Sequence, residues 1–558
     1  MVNSASSKTW RQKSYDAVPA LSVRGPHLRR ALRLVTLSSM FCAIWVACIS
    51  GSQMRIFAGM LGFDNMAFGL MAALPFIATL GQLAASLLIE RTGLVKYQFM
   101  QFALIHRGLW LAVGLTGLLL PAPSGIAIVA VLSIMGVSWF TGNLSGPPWL
   151  TWMGSLLPRR VRGRFFANRE RLSLGTISIT VLLVGLLMDI VYDPNGPAYQ
   201  PTAMWTICGV LAVAAICGMA DILCYRRVPE ILPAPSPEAQ VRREDPDQQL
   251  YDEQPTPRPV GLARWRALLH DLLIEPLSNR VFRSYVLFGT TLTFSVTCSG
   301  WYIWLNAMDN LGFSSLATNS LFLVIGPVAG IFAARPWGRA IDHWGRRPVL
   351  VLGTIGVVLS LVPWLFISRQ TPAPDFAVRG VSWALSHVGR AFGREGWVSP
   401  ETALPVGAYL WSVLACIIGG ATWPGVNVAQ TNIVLGFSEG TGKSRYMAAS
   451  AVLISVGGAL GGLVGGVMTR SMEGLQQHPI AFGPFAWTNW HLSFVLAIAA
   501  RLLAMFWLYG MPDAGATPVR AVARQISVNA FNNIVTTVFY PLRVFGWRRS
   551  GRPTGRQK

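Results

Sequence analysis

The sequence predicts an all-α integral membrane protein of twelve membrane-spanning helices arranged as two six-helix halves. Three observations carry this. Mean hydropathy is +0.46 over 558 residues, 52% of them hydrophobic and only 13% charged, which is too apolar for a water-soluble chain of this length. Apolar runs of about 20 residues, enough helix to cross about 30 Å of hydrocarbon, recur along nearly the whole chain. Basic residues alternate in abundance between successive connections, as they do when loops on one side of a membrane are rich in Lys and Arg.

Twelve apolar runs are legible, at 34–53, 66–89, 99–120, 125–149, 172–191 and 203–225 in the first half. In the second half they fall at 283–305, 316–334, 348–367, 404–430, 446–469 and 490–510. The first follows a basic tail, 1–33, and lacks a convincing cleavage site, so it reads as a retained span rather than a signal peptide. The predicted organisation is thus the tail 1–33, a first half 34–225, a linker 226–280, a second half 281–510 and a tail 511–558.

The net charge of +22 would suggest a nucleic-acid partner in a soluble protein, but its distribution points elsewhere. Of the 46 Lys and Arg residues, 38 fall in the two tails and the connections on one side, and 6 in the connections on the other. Arg107 and Arg501 lie inside spans. The sequence therefore predicts both termini in the cytoplasm, basic loops facing anionic lipid headgroups, a monomer and no nucleic acid. All seven cysteines fall inside predicted spans, where a thiol acts as a small apolar group, so neither a disulfide framework nor a metal site is expected, and no cofactor.

The linker contains "VPEILPAPSPEAQVRREDPDQQLYDEQPTPRPV", rich in Pro and acid, which predicts an unfolded connector. After it, Leu262, Trp265, Leu269 and Leu272 recur at helical spacing among basic residues and predict an amphipathic helix on the membrane surface. Val528, Phe531, Val535, Phe539 and Leu542 predict a second one in the C-terminal tail.

Two motifs repeat between the halves. "GRAIDHWGRR", Gly338 to Arg347, joins spans 8 and 9 and has a degraded counterpart in "SLLIERTGLVK" between spans 2 and 3, where Glu90 stands 252 residues before Asp342 and Gly93 matches Gly345. "RGRFFA" from Arg162, after span 4, is matched by "KSRYMA" from Lys443, after span 10, with Arg164 and Arg445 281 residues apart. A longer connection between spans 9 and 10 accounts for the difference in offset.

These residues resemble the major facilitator superfamily, whose signature between spans 2 and 3 and again between 8 and 9 is a Gly, an Asp four residues on, a Gly three residues further and two basic residues. Gly338, Asp342, Gly345, Arg346 and Arg347 follow it, with Arg339 adjoining; in the first-half copy Ser86, Leu94 and Val95 depart from it. "WLTWMGSLLPRRVRGRFFANRERL" is also similar to a region of poorly characterised bacterial members. The resemblance implies a secondary transporter of the bacterial inner membrane, working by alternating access. It also implies that Asp342 latches the start of span 5, near Arg164 and Arg169, when the cytoplasmic gate is shut. In that fold spans 1, 4, 7 and 10 line the central cavity, which makes Trp45, Gln53, Trp139, Asn143, Trp301, Trp304, Trp423, Asn427 and Gln430 the candidate solute contacts. Interhelical hydrogen bonding is the competing role for the two asparagines, and an interfacial aromatic belt for Trp301 and Trp304.

No Asp or Glu stands mid-membrane in spans 1, 4, 7 or 10, so the expected solute is small and uncharged or amphipathic rather than a dianion. No HExxH, P-loop or GxSxG in catalytic context occurs, which argues against a membrane enzyme. The degraded first motif leaves a second function open, a non-transporting assembly factor or sensor of the same fold. Finally, "SVGGALGGLVGG" places Gly457, Gly458, Gly461, Gly462, Gly465 and Gly466 on span 11 for close helix packing, and for sliding if the halves rock.

Overall fold

The computed structural model describes residues 26–92, 94–157, 159–230, 275–391, 405–436, 443–482, 485–511, 517–522 and 524. The first half comprises α1 (Pro26–Ile49), α2 (Ser52–Met60), α3 (Asn65–Ile77), α4 (Leu80–Thr92), α5 (Val95–Leu119), α6 (Gly125–Leu156), α7 (Arg159–Val191) and α8 (Pro201–Cys224). The second comprises α9 (Glu275–Ser278), α10 (Arg280–Leu305), α11 (Ser315–Asn319), α12 (Gly326–Trp344), α13 (Arg346–Leu361), α14 (Asp375–Ala391), α15 (Val406–Gly436), α16 (Lys443–Ser471) and α17 (Asn489–Trp507). A short antiparallel hairpin, β1 (Ile480–Phe482) with β2 (Phe485–Trp487), joins α16 to α17. The two predicted amphipathic surface helices lie outside the described residues.

Among the described residues eleven helices are long and apolar enough to cross a membrane. The twelfth span of the predicted set is α10, whose 26 residues include the hydroxyl run Thr290, Thr291, Thr293, Ser295, Thr297 and Ser299, which dilutes its hydropathy. Five of the six bond to helix carbonyls or to neighbouring helices, as Thr291 Oγ1 does to Leu287 O at 2.8 Å and Ser299 Oγ to Ser295 O at 3.1 Å, so they can be carried through lipid.

Span 1 is not one helix. Gly51, at φ 100°, breaks it into α1 and α2, a conformation that a side chain would strain. Span 2 is likewise divided into α3 and α4 just after Pro75. Helix starts at the poorly charged end of the bundle carry side-chain caps: Asp64 Oδ1 accepts from Ala67 N at 2.8 Å, Ser124 Oγ from Ala127 N and Ser314 Oγ from Ala317 N, both at 3.2 Å. GRAIDHWGRR is not a loop. Gly338 to Trp344 form the last turns of α12, Gly345 at φ 92° is the single residue between helices, and α13 begins at Arg346.

The basic connections gather at one end of the bundle, called the basic end below; the other is the far end. At the far end a single apolar core spans both halves, with Trp110, Met204 and Val131 of the first packed in one cluster with Tyr302, Leu321, Trp364 and Phe494 of the second. Toward the basic end this core forks. Val35, Phe99, Trp152 and Tyr225 form a separate core in the first half, and Phe282, Val349, Val426 and Leu508 another in the second. The halves are therefore cemented at the far end and split at the basic end.

Candidate gate and solute path

Two contacts of the same design close the far end, one on each side. α7 presents Gly185 and, one turn on, Asp189. A Cβ at Gly185 would stand 2.9 Å from Leu316 Cα, so the two backbones touch. Asp189 then accepts from Ser315 N at 2.6 Å and Leu316 N at 3.0 Å, the first amides of α11 in the other half. α16 presents Gly466 and, one turn on, Arg470. A Cβ at Gly466 would stand 3.3 Å from Gly69 Cα, and Arg470 Nη1 meets Asp64 Oδ2, the cap of α3, at 3.0 Å. Gly185 and Gly466 are 281 residues apart, as are Asp189 and Arg470, the offset already seen between Arg164 and Arg445. A glycine brings the helices together and a charged residue one turn later ties down the neighbouring helix start.

The six glycines of α16 divide between two neighbours. Gly457, Gly461 and Gly465 face α10 of their own half, close on the carbonyls of Thr290, Phe294 and Cys298. Gly458, Gly462 and Gly466 face α3 of the other half, where a Cβ at Gly462 would stand 2.7 Å from Gly69 O. One stripe is thus internal packing and the other is the contact that rocking must break.

Further polar ties cross the seal. Arg55 of α2 pairs with Asp309, whose carboxyl burial holds above the usual carboxylate range although the guanidinium works against it. Asn319 accepts from Ser52 N at 2.9 Å and donates to Val181 O at 2.9 Å. Asn65 accepts from Tyr302 Oη through its carbonyl at 3.0 Å and from Trp490 Nε1 through its side chain at 3.2 Å. A file of rings lies beside them, Phe68 and Trp301 at 6.0 Å, Trp301 and Trp304 at 6.4 Å, Trp304 and Phe322 at 4.7 Å, Phe322 and Trp364 at 5.6 Å. Trp301 and Trp304 are half-buried in this file, so the structure places them in the seal between halves rather than in an aromatic belt facing lipid.

The other candidates separate into two groups. Trp45 is 4% exposed, under the Arg107 guanidinium at 3.5 Å and edge-on to His106 at 5.1 Å, because α1 turns that face toward α5 and α8 of its own half. Gln53 is fully buried and its Nε2 donates to Ala47 O at 2.8 Å and Cys48 O at 3.1 Å, satisfying carbonyls freed by the break at Gly51. Trp139 is half-buried 5.7 Å from His106. Asn143 Oδ1 accepts from Gln82 of α4 at 2.9 Å and its Nδ2 donates to Trp139 O at 3.0 Å. On α15, by contrast, Trp423 and Gln430 are half-buried, Asn427 is exposed, and neither amide side chain has a hydrogen-bond partner among the described residues. The two amides remain available to a solute, whereas Trp423 also packs against the second half's basic-end core.

At the basic end Asp342, Arg339 and Arg346 are exposed, and Arg347 lies 5.9 Å over the Tyr509 ring. The expected meeting of Asp342 with Arg169 is not formed: Arg169 is half-buried, 5.1 Å over the Trp149 ring in its own half, and the forked core holds the halves apart there. The side chains of Glu90 and Arg164, and Gly93, lie outside the described residues.

Asp189, Arg470, Asp64 and Arg55 are not among the candidates the sequence offers. Their signal in it is the 281-residue repeat of a glycine followed one turn later by a charge, but a lone acid near a span's end does not distinguish itself from interfacial charge.

The Major Facilitator Superfamily model matches residues 171–393. No curated protein sequence matches the chain. Among solved structures, a D-xylose–proton symporter superposes with TM-score 0.56 at 12% identity, covering 88% of this chain and 99% of that one. The xylose transporter XylE from E. coli in a partially occluded inward-open conformation gives 0.52 at 12%, covering 88% and 100%. A bacterial homologue of the lysosomal transporter Spinster, inward-facing and unoccupied, gives 0.51 at 13%, covering 87% and 97%. The family match covers spans 5 to 9, under half of the chain, and the solved structures, at 12–13% identity, share its fold: a multi-pass membrane protein of two helical halves similar to major facilitator superfamily transporters.

Proposed function

We propose that this transporter moves a small, uncharged or amphipathic solute across the bacterial inner membrane by alternating access, with its basic end and both termini in the cytoplasm and the far end outside. The forked core supports the reading: one core shared at the far end and two separate ones at the basic end fit a protein sealed outside and open to the cytoplasm. In that state Asp342 is released from its latch, in keeping with its exposure. The far-end seal would part, and the Asp342 latch form, in the opposite state.

The solute would bind below the seal, with Asn427 and Gln430 offering amides that no other described residue uses and Trp423 the part of its ring that the second-half core leaves uncovered. Radiolabelled candidate solutes and proteoliposomes, with and without a pH gradient, test the function, and Asn427→Ala tests the site. The substitution should raise the apparent transport constant about fivefold to tenfold, the worth of one hydrogen bond of about 1 kcal/mol, without changing thermal stability. Unaltered affinity would move the site elsewhere. The degraded first-half motif favours the alternative of a non-transporting sensor or assembly factor, and failure of every solute class to accumulate, in protein whose gates still move, would select it.

A further inference from the structure

The connection between spans 9 and 10 holds a helix that the transport cycle leaves unexplained. α14 runs over 17 residues at the far end, and its main neighbour among the described elements is α15. Its residues separate by helical position, with Trp383 and Phe376 bordering the arginines and His387 beside them. Arg390, Arg379, Ser386, Asp375 and Ser382 occupy one narrow arc, and Phe376, Trp383, Ala384, Ala377, Val381 and Val378 the remainder. Phe376 is 76% exposed and Trp383 65% among the described residues, where the Trp383 ring packs on His387 at 4.3 Å.

Its height is fixed. The carbonyls of Thr371 and Pro372, three to four residues before α14 begins, close on Gly407 at the first turn of α15, a span whose end is at the membrane surface. α14 therefore starts at the level of the headgroups.

We infer that α14 is an interfacial helix seated on the leaflet at the far end, with Phe376 and Trp383 in the headgroup and upper acyl region and Arg379 and Arg390 on lipid phosphates. The charges match: two arginines at the edge of the apolar arc, against Asp375 alone, suit an anionic phospholipid surface and not an acidic-poor or cationic partner. A tryptophan with a polar neighbour is the residue type enriched at this depth. Seated there, the helix holds the end of α15 at constant depth while the rest of its half tilts.

The test uses the full chain in phosphatidylcholine vesicles with and without phosphatidylglycerol, carrying an environment-sensitive fluorophore on Trp383→Cys, and separately on Phe376→Cys and Ser386→Cys, with labelled wild type subtracted. The first two labels should emit blue-shifted, be quenched by bromines near the top of the lipid acyl chain and be shielded from iodide. The Ser386 label should remain open to iodide, and Arg379→Gln with Arg390→Gln should weaken lipid quenching mainly in vesicles containing phosphatidylglycerol. Iodide access at Trp383 and Phe376 equal to that at Ser386 would overturn the inference. So would shielding without lipid quenching, which signals a protein cover, or shielding that rises with protein density, which signals a second copy.

Discussion

The two halves solve the same problem, a polar tie inside a membrane-embedded core, with different chemistry. In the first half Arg107 Nη2 meets Asp221 Oδ2 at 3.3 Å, and Ser38 Oγ donates to Asp221 Oδ1 at 2.5 Å, joining α1, α5 and α8 by a neutral pair. In the second half Arg501 of α17 does the joining, with Nε on Ser295 Oγ at 2.9 Å and Nη1 on Val357 O at 2.6 Å, and no acid beside it among the described residues. The three spans tied are equivalent in the two halves. A buried pair breaks badly because removing one member strands the other, whereas an arginine held by neutral groups leaves only neutral groups behind.

Losing the acid should have the largest effect. Asp221→Ala should cost about 3–5 kcal/mol by leaving Arg107 buried and uncompensated, while Arg501→Met should cost about 1–2 kcal/mol, the desolvated hydroxyl and carbonyl it abandons. Thermal unfolding in detergent measures both, and the double variant Asp221→Leu with Arg107→Met should regain most of the loss. Equal effects in the two halves would end the distinction.

The motif between spans 8 and 9 comes next. Asp342→Asn keeps the shape and removes the charge, so it should shift the balance toward the state open at the basic end by about one to two orders of magnitude, from about 1–3 kcal/mol of latch energy. Label-to-label distances between positions 163 and 442 report it. Stability should barely change, and an unaltered distance distribution with normal transport would leave the acid without a role. The degraded first-half motif should be weaker, so Glu90→Gln should move the distances less.

At the far end the two arms of the seal have the same geometry and opposite charge, so they should differ in strength. Asp189→Asn weakens two bonds to backbone amides in a half-buried site and should loosen the seal by about tenfold, or about 1.4 kcal/mol. Arg470→Gln breaks a pair whose side chains are 60% and 38% exposed, and should change the same distance equilibrium, read between labels at the far end, by less than about fivefold. A larger effect of Arg470 would show that the far-end balance is set by the salt bridge instead of by the anchored helix start.

Composition and spacing alone settled a great deal. Lipid as solvent follows from apolar runs of membrane length, the gathering of basic connections at one end from the placement of the arginines, and the doubling of the fold from offsets that recur between halves, because each is a property of the chain written along itself. The hinge at Gly345 was visible as a glycine but not as the sole residue between two helices, since helix propensity cannot show how far a charged turn continues past the lipid. Tertiary structure decided which faces meet. It turned Trp45 and Gln53 inward, gave Asn143 to Gln82, left Asn427 open, and split the glycines of α16 into one stripe for α10 and one for α3. In a bilayer almost every outward face is apolar, so hydrophobic periodicity, which tells core from surface in water, loses its contrast. What then selects the contact face is close backbone approach and polar satisfaction between helices far apart in sequence, and only the folded chain brings Asp189 to the start of α11 or Arg470 to Asp64.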